Sequence, residues 1–168
     1  ACSNCSTRCV SGAEPLRQAA RMCGIDPARL VFASRLPKAE HLKRHQLADL
    51  FLDTFTYNAH TTASDALWAG LPIVTLRGRV FQSRVCASLL TALGLLELIT
   101  ASRTEYETLA IGLAREPTRL RELRVCLQER RRAGPPFDTQ SFVHNLERAF
   151  EAMWAPHKTG GRPKALYI

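Results

Sequence analysis

The stretch "NAHTTASDALWAGLPIVTL", residues 58–76, decides the fold class of this chain. A histidine, two threonines and an aspartate stand at its start, and an apolar run closes it. With "DLFLDT" (residues 49–54) before it, the pattern predicts a strand, a loop, a helix and a second strand. Such a βαβ unit places its two strands parallel in one sheet, joined by a right-handed crossover.

The flanking sequence continues this alternation of helices and strands. Before the βαβ unit it predicts a helix at 13–24 that stops at Gly24, a buried strand "RLVFAS" at 29–34 and a helix at 38–48. After the unit it predicts a helix at 80–94, a further candidate strand "LELIT" at 96–100, and helices near 103–115, 117–132 and 138–154. We therefore expect an α/β fold: a Rossmann-like parallel sheet with helices on both faces. Since such sheets usually hold five or six strands, this one is expected to lack its first strands.

The charge of the chain favours an anionic partner. The 168 residues carry 23 Lys and Arg against 15 Asp and Glu, a net charge of +8. Much of this charge lies in residues 115–132, where Leu120, Leu123 and Leu127 recur at helical spacing. We interpret this segment as a solvated amphipathic helix rather than a nucleic-acid-binding element, because no groove-reading motif or base-stacking aromatic pattern accompanies it.

The longest apolar run, "LLTALGLLELI" at 89–99, is too short to span a bilayer. The N-terminus shows no secretory signal pattern, so a cytoplasmic protein without a membrane partner is expected.

Cysteines crowd the N-terminus of the chain. Cys2 and Cys5 in "CSNC" have the spacing of a zinc knuckle, and Cys9 and Cys23 follow. A second closely spaced pair of ligands is missing, which favours an unstructured terminus over a zinc site. Cys86 and Cys126 lie in apolar helical patterns and are expected to be small buried side chains.

The polar loop that precedes the central helix has two compatible interpretations. Thr62 and Asp65 have the spacing of a capping box, which explains both residues structurally. A helix that begins at Thr61 or Thr62 also offers backbone N–H groups and hydroxyls to a diphosphate.

A second polar cluster, "SRLPKAEHLKRH" at 34–45, follows the predicted strand at 29–34. Lys38, His41 and His45 fall on one helical face, as they would on an ordinary charged surface. Because ligands bind at the carboxyl ends of parallel strands, the position of both clusters at one sheet edge favours a nucleotide site.

Residues 36–90 resemble the C-terminal catalytic region of the O-linked N-acetylglucosamine (O-GlcNAc) transferase family. The resemblance lies in Lys38, His41 and Arg44, then "LDT", "NAHTT" with Asp65, "LWAGLPIVT" and "SRV". It extends over about residues 27–155, and the first dozen residues do not fit it.

The resemblance implies a GT-B architecture, in which the C-terminal half holds most of UDP-GlcNAc and no metal or other cofactor is needed. It implies inverting transfer of the sugar to Ser or Thr of a protein acceptor. By this analogy His41 contacts the uracil, Lys38 and Asp65 bind the ribose, and Arg44 supports them. The diphosphate is held by His60, Thr61 and Thr62. No catalytic residue is assigned.

The chain also departs from the family pattern. Members carry an N-terminal Rossmann-like half, usually preceded by tetratricopeptide repeats, and a phosphate-contacting lysine before the segment matched by 29–34. Since these are missing, we expect a fragment or a product with a damaged start, inactive alone. Its expected organisation is an atypical Cys-containing segment and short helix at 1–26, a UDP-sugar-binding half-domain at 27–155 and a loose tail at 156–168. The alternative is a non-catalytic basic binding module that retains the fold.

Overall fold

The structure is a computed structural model that describes residues 12–162 and residue 165. It divides into two compact units, Ala1–His41 and Leu42–Ile168, which are described separately below. The candidate zinc ligands Cys2, Cys5 and Cys9 lie outside the described residues.

The first unit contains the predicted N-terminal helix, α1 (Ala13–Met22). Gly24 follows it with a φ of +71°, and the N–H of Ile25 donates to the Ala20 carbonyl at 2.8 Å. This left-handed glycine ends the helix where the sequence predicts it. A 3₁₀ turn at Pro27–Arg29 comes next, capped by the side chain of Asp26.

The strand predicted at 29–34 is wrong. Residues 30–37 form neither helix nor strand, and the Val31 side chain is 89% exposed. Phe32 lies under the guanidinium of Arg17, 5.1 Å from the ring centroid, instead of against a sheet. Apolar β-branched residues favour a strand only where a neighbouring strand supplies hydrogen bonds and burial. Residues 30–37 have no such ladder.

Helix α2 (Lys38–His45) confirms the next predicted helix, although it ends three residues before the predicted limit. His45 is buried, Lys38 is exposed, and His41 is half-buried.

The second unit contains the predicted βαβ unit and its continuation. The elements are β1 (Phe51–Leu52), α3 (Thr61–Trp68), β2 (Ile73–Leu76), α4 (Val85–Ala92) and β3 (Ile99–Thr100). The strands are parallel in the order β1-β2-β3, with Phe51 opposite Ile73 and Thr75 opposite Ile99. The candidate strand at 96–100 is confirmed as β3 only at Ile99–Thr100, because Leu96–Leu98 form a 3₁₀ turn.

The core of this unit lies around β2. Helices α3 and α4 pack against it, and so does the helix at Arg103–Arg115. The largest apolar side chains that are fully buried there are Leu67, Ile73, Leu90, Leu95, Leu98 and Leu127. The helix predicted from residue 80 starts later, at Val85, because a 3₁₀ turn occupies Phe81–Ser83.

Three helices close the chain: α5 (Arg103–Arg115), α6 (Pro117–Ala133) and α7 (Thr139–Lys158). Leu120, Leu123 and Leu127 of α6 are buried, which confirms its amphipathic character. Helix α7 runs past its predicted end near residue 154. Within the described residues, no helix combines the length and the apolar character that a membrane span requires.

Candidate functional site

A buried carboxylate organises the carboxyl edge of the sheet. Asp53 directly follows β1 and is 3% exposed. Its Oδ1 accepts the N–H groups of Thr54 at 2.9 Å and Ala59 at 2.7 Å. Its Oδ2 accepts the hydroxyl of Thr75, on β2, at 2.6 Å. One side chain thus ties both ends of the loop between β1 and α3 to the neighbouring strand.

Further buried polar groups continue from Asp53 beneath this loop. The Tyr106 hydroxyl donates to the Asp53 carbonyl at 3.0 Å, and the Thr100 hydroxyl donates to the Thr75 carbonyl at 2.9 Å. Burial, with the charge of Asp53 adding to it, raises the pKa of Tyr106 to about 12. Burial likewise raises the pKa of the Cys86 thiol. The Tyr106 hydroxyl therefore stays protonated near neutrality and serves as a fixed donor to the Asp53 carbonyl.

Asn58 joins the loop to the segment after β2. Its N–H donates to the Gln82 carbonyl at 2.8 Å, and its Nδ2 donates to the Thr54 carbonyl at 2.8 Å. Its Oδ1 is buried and has no hydrogen-bond partner among the described residues. Asn58 therefore holds the loop to the segment after β2.

His60 lies at the N-cap of α3 between two aromatic rings. Its ring stacks on Tyr57 at 4.7 Å, and Phe81 meets it edge-on at 5.9 Å. Its Nε2 lies 3.3 Å from the Gln82 carbonyl. Because a carbonyl only accepts, Nε2 must carry the proton, which leaves Nδ1 as the ring nitrogen that a ligand would meet.

The first turn of α3 is not capped by a side chain. The helix begins at Thr61, so Thr62 is its second residue and the predicted Thr62–Asp65 capping box is wrong. The first intrahelical bond runs from the Ser64 N–H to the His60 carbonyl at 3.1 Å. The N–H groups of the preceding residues, 61–63, therefore have no intrahelical acceptor, and both threonines are exposed.

Helix α5 shows the contrasting arrangement. There the Ser102 hydroxyl accepts the Glu105 N–H at 3.2 Å, and the Glu105 carboxylate accepts the Ala101 N–H at 2.9 Å. The Ala101 N–H, with the Ser102 hydroxyl adding to it, lowers the pKa of the Glu105 carboxyl. The start of α5 is capped by its own side chains, whereas the first turn of α3 has no side-chain cap.

Comparison with known proteins identifies the family to which the chain belongs. Residues 8–146 match the sequence profile of glycosyl transferase family 41. The chain belongs to this family. The match begins at residue 8, well before residue 27, where the resemblance seen in the sequence starts.

Curated relatives of this family 41 chain are several times longer. It is 38% identical over 149 residues to a UDP-N-acetylglucosamine–peptide N-acetylglucosaminyltransferase of Caenorhabditis elegans. This alignment covers 89% of this chain and 13% of the relative. It is 41% identical over 142 residues to a probable enzyme of the same name, SEC, of Arabidopsis thaliana, covering 84% of this chain and 14% of the relative. The chain thus spans about one-seventh of these relatives.

A solved structure supports the same assignment. A mutant of the O-GlcNAc transferase of Thermobaculum terrenum superposes with a TM-score of 0.79 at 36% identity. The match covers 84% of this family 41 chain and 27% of that one. It confirms the predicted fold class, a Rossmann-like α/β part of a GT-B glycosyltransferase.

The site residues predicted for this family 41 chain fall into two groups. His60, Thr61, Thr62 and Asp65 lie together at the start of α3, in the unit Leu42–Ile168. Lys38 and His41 lie on α2 within the unit Ala1–His41. Arg44, also on α2, is half-buried and belongs to the second unit. The roles given to all seven residues remain predictions.

Sequence reasoning missed the residues that hold the loop of this family 41 chain. Asp53 was part of a recognised motif but received no role, although an acidic residue directly after a buried strand is a usable signal. Asn58 stands in the recognised "NAHTT" but also received no role, because its contact with Gln82 joins positions far apart in the chain.

Proposed function

We propose that this chain is the UDP-GlcNAc-binding part of a protein O-GlcNAc transferase. Membership of family 41 and the names of its relatives support this proposal. The observation that carries it is the start of α3, whose backbone donors lack side-chain caps and whose loop is held by the buried Asp53 carboxylate.

The start of α3 suits a diphosphate by charge and by hydrogen bonding. The N–H groups of the first turn point along the positive end of the helix dipole, which favours an anion. The hydroxyls of Thr61 and Thr62 add donors. His60 Nδ1 would contact the diphosphate when the imidazole is protonated, since that nitrogen then also donates.

The nucleoside roles follow the family resemblance. We propose that His41 contacts the uracil, that Lys38 and Asp65 bind the ribose hydroxyls, and that Arg44 supports them. A carboxylate such as Asp65 is a suitable acceptor for ribose hydroxyls.

The reaction we propose for the full enzyme is an inverting displacement. The acceptor Ser or Thr oxygen forms a bond to the anomeric carbon as its proton passes to solvent or to the departing diphosphate, the bond from that carbon to the diphosphate breaks, and UDP leaves. The proposed diphosphate site at the start of α3 would stabilise the negative charge that develops on the leaving UDP. We propose that these 168 residues alone bind UDP without transferring sugar, because transfer also requires an acceptor held in line.

Titration calorimetry with UDP tests the proposed site. We expect saturable binding by the purified chain, weakened by roughly 1.5 to 3 kcal/mol in Thr62→Val, the range for a hydrogen bond to a charged group. Lys38→Ala should lose a comparable amount. Thr104→Val is the matched control, since Thr104 is likewise the second residue of an exposed helix start, that of α5, and should leave UDP affinity unchanged.

Two results would contradict the proposal. One is the absence of UDP binding by a chain that circular dichroism shows to be folded. The other is equal UDP affinity for wild type, Thr62→Val and Lys38→Ala. Tight binding of random oligonucleotides in place of UDP would favour the alternative, a non-catalytic basic binding module.

A further inference from the structure

A basic groove runs from the loop after β2 along α4. We name it the α4 groove and define it by Arg77, Arg79, Phe81, Arg84, Val85 and Leu89, which line it. Its volume is about 940 Å³. No acidic residue lines it, so three guanidinium groups face the groove without a carboxylate.

Hydrogen bonds within the loop after β2 hold the backbone that carries these arginines. The Gly78 N–H donates to the Ser83 carbonyl at 2.8 Å, and the Ser83 hydroxyl donates to the Val80 carbonyl at 3.0 Å. The Arg77 N–H donates to the Thr100 carbonyl of β3 at 3.0 Å. The backbone beneath the arginines is therefore anchored to the sheet, and only their side chains need to be ordered by a ligand.

The side chains of the three arginines form no ion pairs within the described part of the chain. None of the three forms an ion pair with a described Asp or Glu, unlike Arg119 and Arg124, which pair with Glu122 and Asp49. Arginine presents its donors in a planar fork that fits carboxylates. The guanidinium groups of the groove therefore favour an anion that accepts such paired donors, a carboxylate or a phosphate.

The remaining walls are apolar. Phe81 is 78% exposed, and Val85 and Leu89, one helical turn apart, add aliphatic surface. Helix α4 has eight residues and is therefore about 12 Å long, which an extended peptide covers with about four residues. Alternating carboxylate and apolar side chains would match these walls.

The groove adjoins the proposed diphosphate site at the start of α3. Phe81 lines the groove and also meets the His60 ring at 5.9 Å, while the Gln82 carbonyl next to it is within reach of His60 Nε2. A chain lying in the groove would therefore pass beside the residues that begin α3.

We propose that the α4 groove binds an acidic segment of the polypeptide acceptor. The choice of a polypeptide rests on the proposed function, and the preference for acidic residues rests on the three arginines. A nucleic acid fits less well, because a single exposed aromatic ring lines the groove and no series of rings is present to stack bases.

Fluorescence anisotropy with a labelled peptide tests this inference on the full chain. The probe is a peptide in which glutamates flank a serine and a leucine, and its control replaces each glutamate with glutamine. We expect the acidic peptide alone to bind, and more weakly as salt rises. The triple variant Arg77→Ala, Arg79→Ala, Arg84→Ala should lose roughly tenfold in affinity, given the modest strength of exposed charge pairs.

A second triple variant separates the groove from overall charge. Arg115→Ala, Arg119→Ala, Arg132→Ala removes the same charge from exposed positions on α5 and α6 and should bind the peptide as wild type does. Ser88→Trp leaves the loop sequence unchanged and blocks the groove from the exposed surface of α4, so it should also weaken binding.

Three outcomes would overturn the inference: equal losses in the two triple variants, equal binding of the glutamine peptide, or tighter binding of a single-stranded oligothymidine at the same sites. UDP titration of the same samples tests the proposed function separately. Peptide binding without UDP binding would support the groove and contradict the nucleotide site, and the reverse result would contradict only the groove.

Discussion

At the scale of single residues, Asp53 determines the shape of the candidate site without belonging to its exposed surface. Its two oxygens accept three hydrogen bonds from residues on both sides of the loop. A buried carboxylate is stable only when such donors surround it, and the donors in turn depend on it. The position of His60 and of the start of α3 therefore depends on a residue that no ligand needs to contact.

Asp53→Ala should destabilise the chain by about 3 kcal/mol, because the buried Thr75 hydroxyl and two partly buried N–H groups lose their acceptor, at roughly 1 kcal/mol each. Asp53→Asn should cost less, since the amide oxygen still accepts from both N–H groups. Urea denaturation measures both. Asp49→Ala is the control: its side chain is 88% exposed and its pair with Arg124 is long, at 3.7 Å, so a change within about 0.5 kcal/mol is expected. Equal effects at positions 49 and 53 would show that the Asp53 bonds do not stabilise the loop.

At the scale of elements, the segment between β2 and α4 is shaped by one close contact. A Cβ on Gly78 would lie 2.1 Å from the Ser83 Oγ, far inside van der Waals contact. Glycine is required there because a side chain would clash with Ser83, not because of its backbone conformation, since its φ is not positive. Gly112, inside α5, has nothing within 4 Å of its Cβ position and is the opposite case.

Alanine should therefore have opposite effects at these two glycines. Gly78→Ala should destabilise by roughly 1 to 3 kcal/mol, as overpacking does, and Ser83→Gly should restore part of the loss. Gly112→Ala should stabilise by about 0.5 to 1 kcal/mol, because alanine favours a helix interior. Thermal unfolding followed by circular dichroism gives both values. A stabilised Gly78→Ala protein would mean that the loop is more open than the structure shows.

At the scale of the whole molecule, helix α7 has an apolar stripe that faces solvent. Its 20 residues pack mainly on the Pro135–Phe137 turn, and none is buried. The stripe recurs at helical spacing, with exposed fractions of 40% to 63%, and consists of Phe142, Val143, Leu146, Phe150, Met153 and Trp154. An apolar surface of this kind favours association in water.

We expect the purified chain to self-associate as its concentration rises, measured by sedimentation equilibrium. Phe142→Glu with Phe150→Glu should shift the chain towards the monomer, because charges on the stripe oppose its burial. His144→Glu with Ala155→Glu adds the same charge on the opposite, exposed face of α7 and should leave association unchanged. A strictly monomeric wild-type chain, or equal effects of both pairs, would contradict this expectation.

The sequence by itself determined the helices, the βαβ unit and the family. Apolar periodicity and glycine stops are local signals, and the motif from Lys38 to Val85 is a linear pattern. Thus α1, α5 and α6 begin and end close to their predicted limits, and the parallel strands β1, β2 and β3 follow from their order.

Only the tertiary structure decided how the site is held. "RLVFAS" has the composition of a strand, yet it forms none, because a strand requires hydrogen bonds from another strand and no local pattern supplies them. The capping box fails because His60, stacked on Tyr57 and 3.3 Å from the Gln82 carbonyl, takes the N-cap position two residues earlier than the Thr62–Asp65 pattern requires. Contacts between residues distant in sequence depend on packing across the sheet, and here they leave the first turn of α3 without a side-chain cap.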